Sequence, residues 1–159
     1  MKRYKSCTLI ILLLLASALQ AYAHISRNMF MLSNLNTDNG LSSPRVYSIV
    51  EAEDGAMWIS TKRGVDRYNG QQVTNYTLYT EMPYSDACGR SIKLTKDAQH
   101  LIYAYDNKGK VYIYDKRKDT FVLKCNLQKI LGGSIVLNEL LVDEKGNFWL
   151  AMDRGIYCL

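Results

Sequence analysis

Proline is scarce in this chain: two residues in 159, against twelve tyrosines. That balance excludes a proline-rich coil and leans the composition toward strands. Histidine is equally scarce. His24 and His100 have no ligand-like neighbours and read as surface residues. Cysteine is sparse too. Beyond Cys7 there are only Cys88, Cys125 and Cys158. One pair could close in an oxidising compartment, but three is odd, and the spacing fits no metal or disulfide pattern. They read as small buried hydrophobes. Charge of one sign is never concentrated, Lys116-Arg117-Lys118 being the only run of three. Such a run is a solvated hairpin tip rather than a phosphate-binding patch. Hydrophobic residues make up 48% and charged residues 22%, which excludes a disordered chain and suits a folded core.

Long apolar runs are also lacking, with one exception at the start. Lys2, Arg3 and Lys5 precede an apolar stretch from Thr8 to Leu19, followed by Ala21-Tyr22-Ala23. A basic start, a short greasy segment and small residues before the cut are the parts of a secretory signal, expected over residues 1–23. The stretch is shorter than the roughly 20 residues a membrane span prefers. With the basic end held in the cytoplasm, everything after it is exported. The formal charge of +5 falls to +2 once these three cations are removed, since no acidic residue precedes His24. Nucleic-acid binding is rejected for this segment.

What the sequence does contain is a repeat. Val46 to Val50 reads as a strand, Glu53-Asp54-Gly55 as a tight turn and Met57 to Thr61 as a second strand. Lys62-Arg63-Gly64 turns again into Val65 to Tyr68, and Asn69-Gly70 leads to a fourth strand from Gln72 to Tyr76. A weaker copy comes next, with strands expected at Ser91 to Leu94, Leu101 to Tyr105, Val111 to Tyr114 and Thr120 to Leu123. The pattern returns at Leu140 to Val142, Phe148 to Met152 and Ile156 to Leu159. Aligning second strands puts Trp58, Ile102 and Trp149 at one position, and Ser60, Ala104 and Ala151 two residues on. The steps from 58 to 102 and from 102 to 149 are 44 and 47 residues, the length of a four-stranded propeller blade. A large side chain would fill the gap between blades and a small one would let backbones approach. Gly64 and Gly155 stand at one distance from the tryptophans, with Gly109 near the corresponding place.

The expected fold is therefore all-β, an incomplete β-propeller of four-stranded antiparallel blades, preceded by a signal helix. The expected layout is an N-terminal segment over 24–39, blades over 40–80 and 81–125, and a third blade over 126–159 that needs further blades as partners. Asn28 to Leu35 is a candidate closing strand.

The residues Gly40-Leu41-Ser42, Val46-Tyr47-Ser48-Ile49, Asp54 to Thr61 and Gly64-Val65-Asp66-Arg67-Tyr68 resemble the two-component-regulator propeller repeat. Gly146 to Ala151 with Gly155-Ile156 is similar. Departures are Ser60 for the usual glycine and Ile102 where a tryptophan is expected. A signal followed at once by such a blade resembles the hybrid sensor kinases of gut-type Bacteroidota. That resemblance implies two propellers at the periplasmic side of the inner membrane, an immunoglobulin-like module, a membrane helix, a histidine kinase, a receiver and an AraC-type DNA-binding domain. It also implies an oligosaccharide ligand, control of glycan-degrading genes and a homodimer formed through the parent protein.

No catalytic constellation, phosphate loop or metal cluster is visible, so the chain itself is read as non-enzymatic and without cofactor. The Asp-Gly turns lack the alternating oxygen ligands of calcium loops. Asn75-Tyr76-Thr77 fits a glycosylation acceptor but reads as incidental. Tyr79 and Tyr84, within the long connection from Leu78 to Arg90, are the candidate ligand contacts. A stand-alone secreted propeller, whether glycan-binding or lyase-like, and a purely structural propeller are the competing readings.

Overall fold

The computed structural model describes residues 32–78 and 91–159. The chain divides into two units, Met1–Asn34 and Leu35–Leu159, and all the described strands belong to the second. The signal over residues 1–23, Tyr79, Tyr84 and Cys88 lie outside the described residues. Of the candidate closing strand, only Leu32 to Leu35 are described, and they carry no strand.

Among the described residues, eleven strands form three antiparallel sheets in strict chain order. The first holds β1 (Val46–Glu51), β2 (Met57–Thr61), β3 (Gly64–Tyr68) and β4 (Val73–Tyr76). The second holds β5 (Ile92–Lys96), β6 (Ile102–Asp106), β7 (Lys110–Asp115) and β8 (Thr120–Asn126). The third holds β9 (Leu137–Val142), β10 (Phe148–Met152) and β11 (Gly155–Cys158). Each strand expected from the repeat is present. Two elements were not expected: a 3-10 turn at Thr37–Asn39, and a short helix, α1 (Leu127–Leu131), which lies between the second and third sheets and is capped by the Asn126 side chain.

The sheets stack face to face as blades. β1 lies beside β5 and β5 beside β9, so the first strands of successive sheets are neighbours. One apolar core fills the space between the first and second sheets, built on Trp58, Val65, Ile92, Leu94, Ile102, Ala104 and Tyr112. Another fills the space between the second and third, built on Tyr103, Tyr105, Val111, Leu127, Leu140 and Leu150. β6 is buried at every residue because it belongs to both cores, its side chains alternating between them.

That alternation corrects the register read from the sequence. The first hairpin of each sheet is closed by the same backbone bond: Ala52 N–H to Ala56, Asp97 N–H to Leu101 and Asp143 N–H to Asn147, each donating to the carbonyl. Counting from these bonds, Trp58 corresponds to Tyr103 and Trp149, not to Ile102. Ser60 corresponds to Tyr105 and Ala151, not to Ala104. The packing agrees, since Trp58 faces the second sheet and Tyr103 faces the third, whereas Ile102 and Ala104 point back toward the first. With Tyr103 in place, Gly109 falls into phase: 58 to 64, 103 to 109 and 149 to 155 are each six residues. All three glycines have positive φ, at 152°, 83° and 128°.

The rule of a large residue followed by a small one therefore holds in the first and third sheets and fails in the second. Where the small residue is Ser60, its hydroxyl lies 2.8 Å from that of Ser48, and the Ser48 hydroxyl oxygen accepts the N–H of Leu94 in the next sheet at 2.8 Å. Where the residue is Tyr105, one long side chain crosses the gap directly, and its hydroxyl donates to Glu139 at 2.5 Å. Either solution supplies a polar partner to the first strand of the following blade.

Candidate functional site

The start of the first blade is held by a buried carboxylate. Asp66 on β3 is fully buried. Its oxygens accept the Ser42 N–H at 2.8 Å, the Ser42 hydroxyl at 2.9 Å and the Asn75 amide at 2.8 Å. A buried carboxylate needs several donors to be tolerated, and here they come from segments on either side of β3. Gly40-Leu41-Ser42 is thereby pinned to β3 and β4, with Leu41 itself buried. The Asn75 side chain is committed to this network and also donates to the Gly40 carbonyl at 3.2 Å.

At the seam between the first two blades, Trp58 is 2% exposed and its ring meets Tyr76, Tyr114 and Phe121 at centroid distances of 5.3, 4.6 and 5.6 Å. The contacts are tilted or edge-on, the arrangement that aromatic quadrupoles favour. Asp119, in the hairpin between β7 and β8, accepts the Tyr76 hydroxyl at 2.8 Å and the Tyr114 hydroxyl at 2.6 Å. Those two bonds, Tyr114 foremost, hold the Asp119 carboxyl below the ordinary carboxylate range. Burial first, and then the bond to Asp119, raises both tyrosines above theirs. Arg67 lies over Trp58 at 5.7 Å and pairs with Asp54 at 2.5 Å. The N–H of Ala56 first, and Arg67 after it, lower the Asp54 carboxyl.

A groove of about 350 Å³ opens along this seam, between the hairpins that follow β1, β5 and β7. Its walls include Glu53 and Asp54 from the first sheet and Gln99, His100 and Lys116 from the second, with Arg67 among them. No motif or spacing joins these residues in the sequence. His100 and Lys116 read there as solvated, and only the packing of two blades brings them together.

The repeat positions are distributed as follows. Trp58, Ser60, Ile102 and Ala104 are buried between the first two blades, though not as equivalents. Trp149 is 45% exposed, Ala151 half-buried and Gly155 exposed. Cys125 is half-buried and Cys158 exposed, both free, so Cys158 is not the buried hydrophobe expected. It stands on β11, which no further blade covers among the described residues. Among those residues no group of three or more histidine, cysteine or acidic side chains could hold a metal ion, and no helix is long and apolar enough to cross a membrane.

Residues 40–63 match the family model of the two component regulator propeller. The matched stretch runs from the glycine of the Asp66 network through β1 and β2 to the turn before Gly64, so its signature residues are those that fix one blade's start and its first hairpin. No curated protein matches the chain. Among solved structures, the chain is similar to the extracellular domain of the BT4673 system from B. thetaiotaomicron. One structure of that domain is described as a one component system, with 17% identity, TM-score 0.62, and coverage of 83% of this chain and 17% of that one. A second is described as a hybrid two component system, with 19% identity, TM-score 0.61, and coverage of 80% and 17%. The extracellular domain of the hybrid two component system BT3049 from the same organism is similar at 19% identity and TM-score 0.54, over 80% and 16%. These likenesses establish the propeller fold, and the chain spans about a sixth of each domain.

Proposed function

We propose that this chain is the leading part of the extracytoplasmic sensor region of a hybrid two-component system. The observation that carries the reading is the regulator-propeller repeat at residues 40–63, set in a stack of blades similar to the extracellular domains of such systems. The finer reading is a periplasmic sensor, exported by the signal over residues 1–23, that binds an oligosaccharide and switches on glycan-degrading genes through a kinase. Its support is the sequence pattern of signal, Gly-Leu-Ser and blade, together with the tyrosine-bearing connection that holds Tyr79 and Tyr84. Propeller blades without a catalytic constellation suit a binding role, and a parent histidine kinase would supply the chemistry.

The test is a cell carrying the full gene and a reporter on its target promoter, grown on complex glycans. Induction by one glycan, lost when residues 35–159 are deleted from a protein that still reaches the membrane, is the expected result. A full gene that encodes no membrane helix and no kinase would overturn the sensor assignment. A reporter that answers other small molecules but no saccharide would overturn only the ligand class.

A further inference from the structure

We propose that the groove between the first and second blades binds an anionic group, a carboxylate, sulfate or phosphate carried by a small molecule. Three kinds of donor meet there from different hairpins and strands: the Arg67 guanidinium, the His100 imidazole and the Lys116 ammonium, with the Gln99 amide beside them. Among the described residues, the side chains of Gln99, His100 and Lys116 make no hydrogen bond or ion pair, so these donors stand free. Arg67 spends one nitrogen, Nη2, on Asp54. Of the two acidic residues in the walls, Asp54 pairs with Arg67, and each cancels the other, which leaves Glu53 against Lys116 with the His100 imidazole and the Gln99 amide as further donors. An anion seated between blades would gain charge-assisted hydrogen bonds in a partly enclosed space, where they are stronger than on open surface.

The backbone at His100 separates this groove from an ordinary junction of turns. His100 has φ +61°, in the left-handed region that resists a β-carbon. The same position of the other two hairpins is glycine, Gly55 at φ +76° and Gly146 at φ +84°. A glycine would make this turn without strain, as its two sisters do. The second blade instead places an imidazole at the groove, at a cost in backbone energy that the turn itself does not require. Such binding does not depend on the sensor assignment.

The test is calorimetric titration of the intact protein, all its blades present, with glucuronate, glucose 6-sulfate, inorganic phosphate and neutral glucose. At least one anion should bind about fivefold or more tightly than glucose, the scale of a few charge-assisted contacts at a partly exposed site. The strongest anion identifies the ligand class. Lys116→Gln and His100→Gly should each weaken that anion several-fold. His100→Gly restores the residue of the sister hairpins, so its melting temperature should equal or exceed that of the parent, separating lost binding from lost folding. Equal binding of anions and glucose, no binding of any anion, or anion affinity unchanged in both variants would overturn the proposal.

Discussion

Tyr103 and Trp149 occupy one position of the repeat, and each donates its side-chain hydrogen to the aspartate that opens the hairpin before it. The Tyr103 hydroxyl reaches Asp97 at 3.1 Å and the Trp149 indole N–H reaches Asp143 at 3.0 Å. The other oxygen of each aspartate accepts two backbone N–H groups of its own turn, Gln99 and Leu101 in one case, Lys145 and Asn147 in the other. One aspartate thus sets the turn and aims the ring. The first blade has Ala52 at this position, and there Arg67 lies over the tryptophan instead.

Removing the hydroxyl of Tyr103 leaves Asp97, itself buried, without that donor. Tyr103→Phe should cost about 1.5 to 3 kcal/mol, the usual effect of a lost bond to a charged group. Trp149→Phe, at an exposed ring, should cost less. Urea denaturation of the intact protein, all its blades present, measures both. Equal costs would mean that burial does not decide the strength of this contact.

Acid should loosen the third blade's first hairpin. The Trp149 and Asn147 bonds hold the Asp143 carboxyl down at about 2, below its ordinary 3.8. A lowered folded value means stability that is present above about pH 4 and is lost as pH falls toward about 2. The Trp149 emission should shift over that interval in the parent protein. The same titration of Asp143→Asn should lack the step.

Alkali should act on the seams. Burial first, and then the bond to Asp97, raise Tyr103 to about 12, and Tyr76, Tyr105 and Tyr114 are raised as well. A raised folded value means stability that is complete below about pH 10 and is lost as pH climbs past it. Chemical denaturation should therefore show a fall above about pH 10. That fall should be shallower in Tyr103→Phe.

Two glycines with positive φ should differ in their tolerance of alanine. A β-carbon on Gly55 would meet nothing, so Gly55→Ala should cost only the strain of its φ, about 1 to 2 kcal/mol. On Gly64 it would collide with the carbonyl oxygen of Tyr76, a backbone atom that cannot turn aside. Gly64→Ala should cost more than the Gly55 change by at least about 1 kcal/mol, read by denaturant midpoint. Similar midpoints for the two variants would contradict the packing of β3 against β4.

Leu141, Trp149 and Ile156 are 56%, 45% and 75% exposed on the third blade. Residues 35–159 produced alone should bind a hydrophobic dye and melt without cooperativity, because this face needs a covering blade. A sharp, concentration-independent melt of the monomer would refute that.

The strands and hairpins of the first blade are legible in the sequence because turn chemistry and alternation agree from Val46 to Tyr76. The second blade reads one residue out of phase for a physical reason. Ile102 to Asp106 is buried on both faces, so no polar side marks which residues point which way. The glycine six residues past each ring holds the missing information. It outweighs residue size, since Tyr105 stands where the other blades have serine and alanine. The helix at Leu127–Leu131 is invisible in the sequence because five residues are too few for a periodic signal. The groove is illegible altogether, since its walls come from turns whose residues look solvated until two blades are stacked.

The hairpin from Asn107 to Gly109 looks as permissive as Lys62-Arg63, yet it differs in one respect. Its carbonyls accept main-chain N–H groups from the following connection, Leu127 at 2.7 Å on Gly109 and Leu137 at 2.9 Å on Asn107. Lengthening Lys62-Arg63 would disturb bonds within its own blade, Lys62 N–H to the Arg45 carbonyl at 3.1 Å and Arg63 N–H to the Thr61 hydroxyl at 3.2 Å, but none to the next. Lengthening the Asn107 hairpin would pull the anchor from under α1 and β9, so foreign peptide could be inserted at the first site but not at the second.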